Sequence, residues 1–457
     1  SIALTDTFMS AVEKDERYDL INPSDGEITE SPKAREIFDL IVEHAYKNGE
    51  PGVLFIDTAN KDNPLPHLYK LQATNPCGEQ WLGPYENCCL GSINLLQHMQ
   101  KDGNLNWEEL KETIYLATQF LDNIISANKY IPAVPQIEQA AKNSRRIGLG
   151  IMGLADAMYL AGVRYGSKEG MDFAGQIMEF VRFHTMLKSI ELAEQKGAFP
   201  AIDGSIYDPQ NLIWQAPTPI QPFEKDFGRP TIDWNVVYTG IKNHGIRNAA
   251  QTTIAPTGTL SIIAGCSSGI EPFFALCFAR NVMDGTRLVE VNPYFKNEMQ
   301  KIGLWSESLA EKIAETGSIQ GIKEIPEEIK KVFLTAHEIS PTEHIRMQAA
   351  FQQYVDNAVS KTVNLPNNAT EEDVREVYLL AYRLGCKGVT VYRDGSRQGQ
   401  VIQKGKSSSE SLQISLKPRK RPEIMQGVTR LMKTGCGNLY VCLLYTSDAA
   451  DEEDSVD

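Results

Sequence analysis

Arg145-Arg-Ile-Gly-Leu-Gly-Ile-Met-Gly-Leu-Ala-Asp156 is the stretch on which the fold turns. Ile147 to Met152 reads as a strand-like apolar run, and a helical pattern follows it through Leu160. Gly148, Gly150 and Gly153 fit the spacing G-x-G-x-x-G, which in a dinucleotide-binding unit lets backbone approach a pyrophosphate at a helix N-terminus. That reading makes the chain an NAD-dependent oxidoreductase. It also requires a second strand ending in an acid about 20 residues on. The chain there reads Gly166-Ser-Lys-Glu-Gly170, ahead of another helix. The same glycines let a strand and a helix pack closely with no ligand, and the missing acid favours this second reading.

On both sides of the run, helical and strand signals alternate, which is the pattern of an α/β architecture. Ser31-Pro32 opens a helix through Ile37, Phe38, Ile41 and Ala45 to Gly49, and Val53 to Ile56 is a buried strand ending at Asp57. Trp107 to Asn128 is an amphipathic helix with Leu110, Ile114, Ala117, Phe120, Leu121 and Ile124 on its apolar side. Thr252 to Ala255 is a short strand, Pro341 to Lys361 and Thr370 to Leu384 are helices, and Val389 to Tyr392 is a strand.

The chemistry concentrates upstream, in Asn75-Pro-Cys-Gly-Glu79 and Asn87-Cys-Cys-Leu-Gly-Ser-Ile-Asn94. Asn75, Cys77 and Glu79 alternate, so an extended loop would put a hydrogen-bonding amide, a thiol and a base on one face. Cys88 adds a second thiol. A lone cysteine would be read as a small core hydrophobe; an amide, acid and second thiol around it point to redox or radical chemistry on a small substrate. Pro256-Thr-Gly-Thr-Leu-Ser261 follows a strand, and its Gly258 and the hydroxyls of Thr257, Thr259 and Ser261 suit a phosphate. It lacks the Gly-Lys-Ser/Thr of a Walker loop. Tyr392, before Arg393-Asp-Gly395, sits at a strand end that could border a site, although a plain turn has the same composition. Cys266, Cys277 and Cys386 lie in apolar or tight contexts and read as structural.

The 457 residues have 42% hydrophobic and 23% charged content, which fits a globular chain. A net charge of −14 argues against a nucleic-acid surface, and no apolar run has the length of a membrane span. Eight scattered cysteines suit a reducing cytoplasm rather than a disulfide scaffold. No ligand spacing for a metal is present. Residues 398–422, rich in Gly, Ser, Gln and Lys, read as a linker.

These motifs together resemble the large catalytic chain of class II, adenosylcobalamin-dependent ribonucleotide reductases. The resemblance rests on Asn75 to Gln80, Cys88 to Asn94, Arg145 to Asp156, Ala255 to Ser261, Gly265 to Pro272, Ser360 to Pro366 and Cys386 to Arg397. It implies a ten-stranded α/β barrel of two antiparallel halves, with its N-terminal part missing here, over 1–397. It also implies the start of a TSCPD-type small domain at 423–442 and a non-native read-through tail at 443–457. Cys77 would carry a thiyl radical on a loop through the barrel, Glu79 would be the general base, and Asn75 would orient the sugar hydroxyls. Cys88 would be one of two reducing thiols, the other expected upstream of Ser1. Pro256, Thr257, Gly258, Thr259, Leu260 and Ser261 would hold the substrate diphosphate. The implied partners are a ribonucleotide, a thioredoxin- or glutaredoxin-like reductant and a second copy in a homodimer. The implied outcome is deoxyribonucleotide synthesis, or only part of it if the fragment is catalytically incomplete.

Overall fold

A run that is apolar at every position has no solvent face to offer, and Gly148–Met152 is buried along its whole length. In the computed structural model it is an interior strand of a parallel sheet. The structure describes residues 1–87, 89–281, 287–396, 427–434 and 437–444, with backbone only at 278–281, 287–290, 427–434 and 437–444. In chain order the strands are β1 (Ile2–Leu4), β2 (Leu20–Ile21), β3 (Ile28–Glu30), β4 (Val53–Phe55), β5 (Ala73–Thr74), β6 (Trp81–Leu82) and β7 (Leu90–Asn94). They continue with β8 (Gly148–Met152), β9 (Cys277–Asn281), β10 (Arg287–Val291), β11 (Thr362–Leu365), β12 (Gly388–Arg393), β13 (Gly427–Thr434) and β14 (Gly437–Leu444).

Two units are present: Ser1–Arg17 with Lys33–Gly405, and Tyr18–Pro32 with Lys406–Asp457. In the first, β7 pairs in parallel with β8. Leu149 of β8 bridges Thr252 in parallel, and Ile254 bridges Val359, just ahead of β11. β11 pairs in parallel with β12. The direction then reverses, because β12 meets β4 antiparallel, and β4 pairs in parallel with β1. These pairings give one continuous order of seven strands, five in one direction and two in the other. The antiparallel junction that the ten-stranded expectation requires therefore lies between β12 and β4. In the second unit, β2 pairs with β3 and β13 with β14, both antiparallel. β14 runs through Leu443 and Leu444, two residues beyond the boundary expected for the small domain. The expected linker 398–422 and residues 445–457 of the expected tail lie outside the described residues.

Helices cover the sheet. Lys168–Lys196 is buried almost all round; its buried charges are paired, Arg182 with Asp356 and Glu179 with Arg229, and it packs against the helices Trp107–Ala127, Trp234–His244 and Pro341–Gln352. Its Phe173, Ile177, Phe180 and Val181 share a core with Leu110, Ile114 and Leu121 and with Ile147, Leu149 and Ile151 around β8. Four details differ from expectation, the first being that the helix expected over Pro341 to Lys361 ends at Gln352. The helix Ala34–Asn48 starts after Pro32, with Gly49 as its left-handed cap. Ile56 begins a helix, Ile56–Lys61, rather than ending a strand. In Trp107–Ala127 the buried stripe is Leu110, Ile114, Leu121 and Ile125, while Phe120 is 65% exposed. The helix expected from Thr370 is Glu371–Arg383, capped by Thr370 in a reciprocal box with Asp373. No helix among the described residues is long and apolar enough to cross a membrane.

Each glycine of the G-x-G-x-x-G run is accounted for by protein packing. A Cβ on Gly150 would lie 2.0 Å from the Thr253 carbonyl oxygen, and one on Gly148 would lie 2.5 Å from Gln80 Nε2. Gly153 has φ +80° and would meet Asn94 Oδ1 at 2.9 Å. The Thr253 contact is backbone and cannot swing aside. Gly150→Ala should therefore lower stability by about 3 kcal/mol or more. A urea unfolding midpoint that does not move would show that β8 and the Thr252–Ile254 segment are not this close.

Candidate active site

The thiol cluster begins as a hairpin. Thr74 of β5 pairs with Trp81 of β6, so residues 75–80 form the connecting loop. Three bonds close it: Asn75 N donates to Gln80 O at 3.1 Å, Gln80 N to Asn75 Oδ1 at 3.1 Å, and Gly78 N to Asn75 O at 3.0 Å. Gly78 takes φ +81°, the left-handed conformation that favours glycine. The residues are thus gathered by a tight turn rather than by the alternation of an extended strand. Asn75 spends its side-chain oxygen on the turn, and its Nδ2 takes no part in these three bonds. Cys77 is exposed at the tip, whereas Glu79 is only 3% exposed, with Oε2 unpartnered among the described residues.

The loop is docked onto the sheet through the Glu79 backbone. Its carbonyl oxygen accepts from Thr253 Oγ1 at 2.7 Å and from Ala358 N at 2.9 Å. Thr253 belongs to the segment next to β8 in the sheet and Ala358 to the segment beyond it, so the strands that form the half-barrel also carry the hairpin.

Farther along the loop is a feature that the sequence reading missed. Arg146, at the start of β8, is buried; its Nε and Nη2 both lie 3.1 Å from Glu86 Oε2, and its Nη1 donates to Asn357 Oδ1 at 2.8 Å. Glu86 Oε2 also accepts from Gly83 N at 2.7 Å. Burial pushes the Glu86 carboxyl up, but the Arg146 charge and the Gly83 N–H outweigh it and hold the group below the usual carboxylate range. The available signal was an arginine abutting an apolar strand, since a charge there must find a partner. Its partner is 60 residues away in sequence, beyond the reach of local patterns.

Residues 256–261 form the expected strand-to-helix junction. Thr257 has φ +53° and precedes the short helix Gly258–Ala264. Thr257 Oγ1 accepts from Gly269 N at 2.7 Å, and the Ser261 and Ser268 hydroxyls are 2.8 Å apart. These two side chains therefore hold the turn itself. Pro256 is half-buried, and Gly258, Thr259 and Leu260 are exposed. The return segment is tied to β11 by Glu271, which accepts from Lys361 Nζ at 2.6 Å and from Thr362 N at 2.8 Å. Tyr392 is half-buried on β12, opposite Asn364 of β11. Cys88 lies outside the described residues. Cys89 Sγ donates to Leu121 O at 3.5 Å. Burial pushes the Cys277 and Cys386 thiols up to about 12, and burial plus the nearby Asp156 pushes Cys266 up to about 11.

The Cys77 thiol is also raised above its ordinary value, first by partial burial and then by the Glu79 carboxylate. A raised thiol stays S–H at neutral pH, the form that can give up a hydrogen atom. The sign is testable by alkylation. Iodoacetamide labelling of the Cys77 peptide should reach half its maximal rate above the pH of a free cysteine, and Glu79→Gln should move that midpoint down. A midpoint that is unmoved in Glu79→Gln would separate the two groups electrostatically.

Comparison with known proteins fits this geometry. Residues 1–392 match the family described as "Ribonucleotide reductase, barrel domain". The chain is 42% identical over 431 residues to a protein of Thermoplasma acidophilum named vitamin B12-dependent ribonucleoside-diphosphate reductase, covering 94% of this chain and 51% of the relative. It is 41% identical over 402 residues to a Mycobacterium tuberculosis protein of the same name, covering 88% and 53%. The chain thus spans about half the length of these relatives. Its fold is similar to that of the Actinobacillus ureae class Id ribonucleotide reductase alpha subunit, with TM-score 0.65 at 23% identity over 86% of this chain and 65% of that one. The match over 392 residues takes in the five-plus-two strand order and the docked thiol hairpin together, and the chain belongs to the ribonucleotide reductase barrel-domain family.

Proposed function

We propose that this chain forms the catalytic barrel of an adenosylcobalamin-dependent ribonucleotide reductase that makes 2′-deoxyribonucleotides from ribonucleoside diphosphates for DNA synthesis. The observation that carries this reading is the Cys77 thiol, exposed at the tip of a docked hairpin and kept protonated by its surroundings, Glu79 included. The vitamin B12-dependent names of the relatives support the choice of cofactor. An exposed sulfur also suits a large cofactor that approaches the loop from outside. Bound adenosylcobalamin would supply the one-electron oxidation of Cys77 by homolysis of its cobalt–carbon bond.

The roles of the chain's own residues follow. As a thiyl radical, Cys77 takes the hydrogen atom from C3′ of the ribose. Glu79, buried and with one oxygen unpartnered, accepts the 3′-hydroxyl proton. Asn75 Nδ2 orients the sugar hydroxyls while Oδ1 keeps the turn closed. The 2′-hydroxyl leaves as water. Cys88 and a second thiol supply two electrons and two protons and become a disulfide. Cys77 then returns its hydrogen atom to C3′, so the net reaction consumes two thiols and releases one water. Gly258 and Thr259 meet the diphosphate, held in place by Thr257 and Ser261. Tyr392 borders the site. A thioredoxin- or glutaredoxin-like protein in the cytoplasm restores the dithiol, and the parent enzyme acts as a homodimer. Because the chain spans about half of its relatives, a second reading has it bind substrate without completing turnover.

The test combines cytidine diphosphate, adenosylcobalamin and dithiothreitol with the 457-residue chain and, in parallel, with its complete parent polypeptide. Deoxycytidine diphosphate made without any metal-containing partner is the expected product of the parent. Product only on addition of such a partner would overturn the cofactor assignment. Cys77→Ser should lower the rate by about 10³-fold or more while nucleotide binding persists, and substantial residual turnover would remove Cys77 from the mechanism.

A further inference from the structure

An exposed thiol at the tip of a six-residue loop has few contacts with which to fix its own position. Its orientation must come from what holds the rest of the loop, and misplacement by about 1 Å can cost about 10²-fold in rate. One hold is the Glu79 carbonyl on Thr253 and Ala358. The other acts just past β6, in the turn 83–86 that continues from the loop: the buried Arg146–Glu86 pair, with both side chains only 3% exposed.

That pair joins four pieces of chain. Glu86 Oε2 takes the Gly83 N–H, and Glu86 N donates to Gly83 O at 3.2 Å, so the carboxylate closes the turn 83–86 on itself. The Tyr69 ring presses on that turn so closely that a Cβ on Gly83 would fall 2.3 Å from it. The guanidinium leaves from the start of β8. Its third nitrogen engages Asn357, whose Nδ2 donates to Thr252 O at 3.0 Å. Asn357 is also next to Ala358, which holds Glu79. Loop turn, β8, the Thr252 segment and the lead into β11 thus meet at one fork. In sequence, Glu86 falls between the two thiols assigned chemistry, Cys77 and Cys88. A buried ion pair contributes little net stability compared with apolar packing of the same volume, but a planar fork fixes direction as an apolar contact cannot.

We infer that Arg146 and Glu86 are positioning residues for the thiol-bearing loop, setting where Cys77 and the arm leading to Cys88 stand relative to the half-barrel. The inference rests on Cys77 being the reacting thiol, and its primary readouts do not depend on turnover. Glu86→Gln keeps the shape and removes the charge; Arg146→Lys keeps the charge and removes the fork. In folded variants, amide hydrogen exchange over residues 75–87 should quicken about 10-fold or more while exchange in the helix 168–196 stays unchanged. Iodoacetamide labelling of Cys77 should also quicken. In the turning-over parent enzyme, kcat should fall about 10²-fold with KM within about threefold. Exchange and labelling unchanged in folded Glu86→Gln would overturn the inference. So would exchange that rises equally in loop and helix, or a chain that folds with neither variant, because the pair would then serve the fold alone. If the loop loosens in the variants but even the unsubstituted parent never makes deoxynucleotide, the proposed function fails, and what stands is that the pair holds the loop. If Cys77-dependent turnover survives with the loop unchanged, the reverse holds.

Discussion

The bond from Thr253 Oγ1 to the Glu79 carbonyl is where the sheet and the site become one object. A backbone carbonyl carried into a protein interior must find donors or cost a few kcal/mol. Glu79 finds two, on neighbouring segments of the sheet, the hydroxyl of Thr253 and the amide of Ala358. That arrangement exists only because Gly150 lets β8 approach the Thr253 backbone without a side chain between them. A wider spacing there would shift Thr253, and with it the donor that seats the hairpin. The strand order, the burial of Glu79 and the projection of Cys77 are therefore consequences of one close approach between two parallel segments.

The hairpin and the turn just after it contain two buried carboxylates seven residues apart, in contrasting surroundings. Glu86 is spent on structure: it accepts from a backbone amide and faces a guanidinium that keeps it ionised. Glu79 has an unpartnered oxygen and lies near enough to Cys77 to raise the thiol. Each carboxylate has one buried oxygen without a hydrogen-bond partner among the described residues, so the difference lies in the guanidinium: an acid paired with an arginine is a poor base for a substrate, and Glu79 has no such ion pair among the described residues. Environment divides the two roles, as it does wherever two carboxylates share a site.

Much of this was legible from local pattern. The buried strand at 148–152, the long helix after Trp107, the box at Thr370 and the strand-to-helix junction at 256–261 each follow from periodicity or turn chemistry within a dozen residues. The misses have physical causes. Phe120 fits the apolar face by spacing alone, but whether a face is covered depends on neighbours that no local pattern contains. The alternation of Asn75, Cys77 and Glu79 suggested an extended loop, whereas Gly78 at positive φ turns it into a hairpin. Arg146 and Asn357 were invisible as members of the site because their contacts span 60 and 211 residues. Thr257 and Ser261 were read as phosphate ligands by residue type, and much of their hydrogen-bonding capacity goes to Gly269 and Ser268.

Two glycine-bearing strand-to-helix junctions occur among the described residues, and comparing them shows what an anion site requires. For backbone N–H groups to face a phosphate, the space above the glycine must be open to the ligand. At 148–153 that space is filled: Gly148 looks onto Gln80, Gly150 onto the Thr253 carbonyl and Gly153 onto Asn94. At Gly258 nothing lies within 4 Å of where a Cβ would stand, and the neighbouring Thr259 is exposed. The better-known spacing is therefore the crowded one, and the less conspicuous Pro256–Ser261 turn has room for a guest. Glycine spacing alone cannot separate these cases, because close backbone approach to a ligand and close backbone approach to another strand make the same demand on the residue. The atoms opposite the glycine decide which demand is being met, and at 148–153 those atoms are protein.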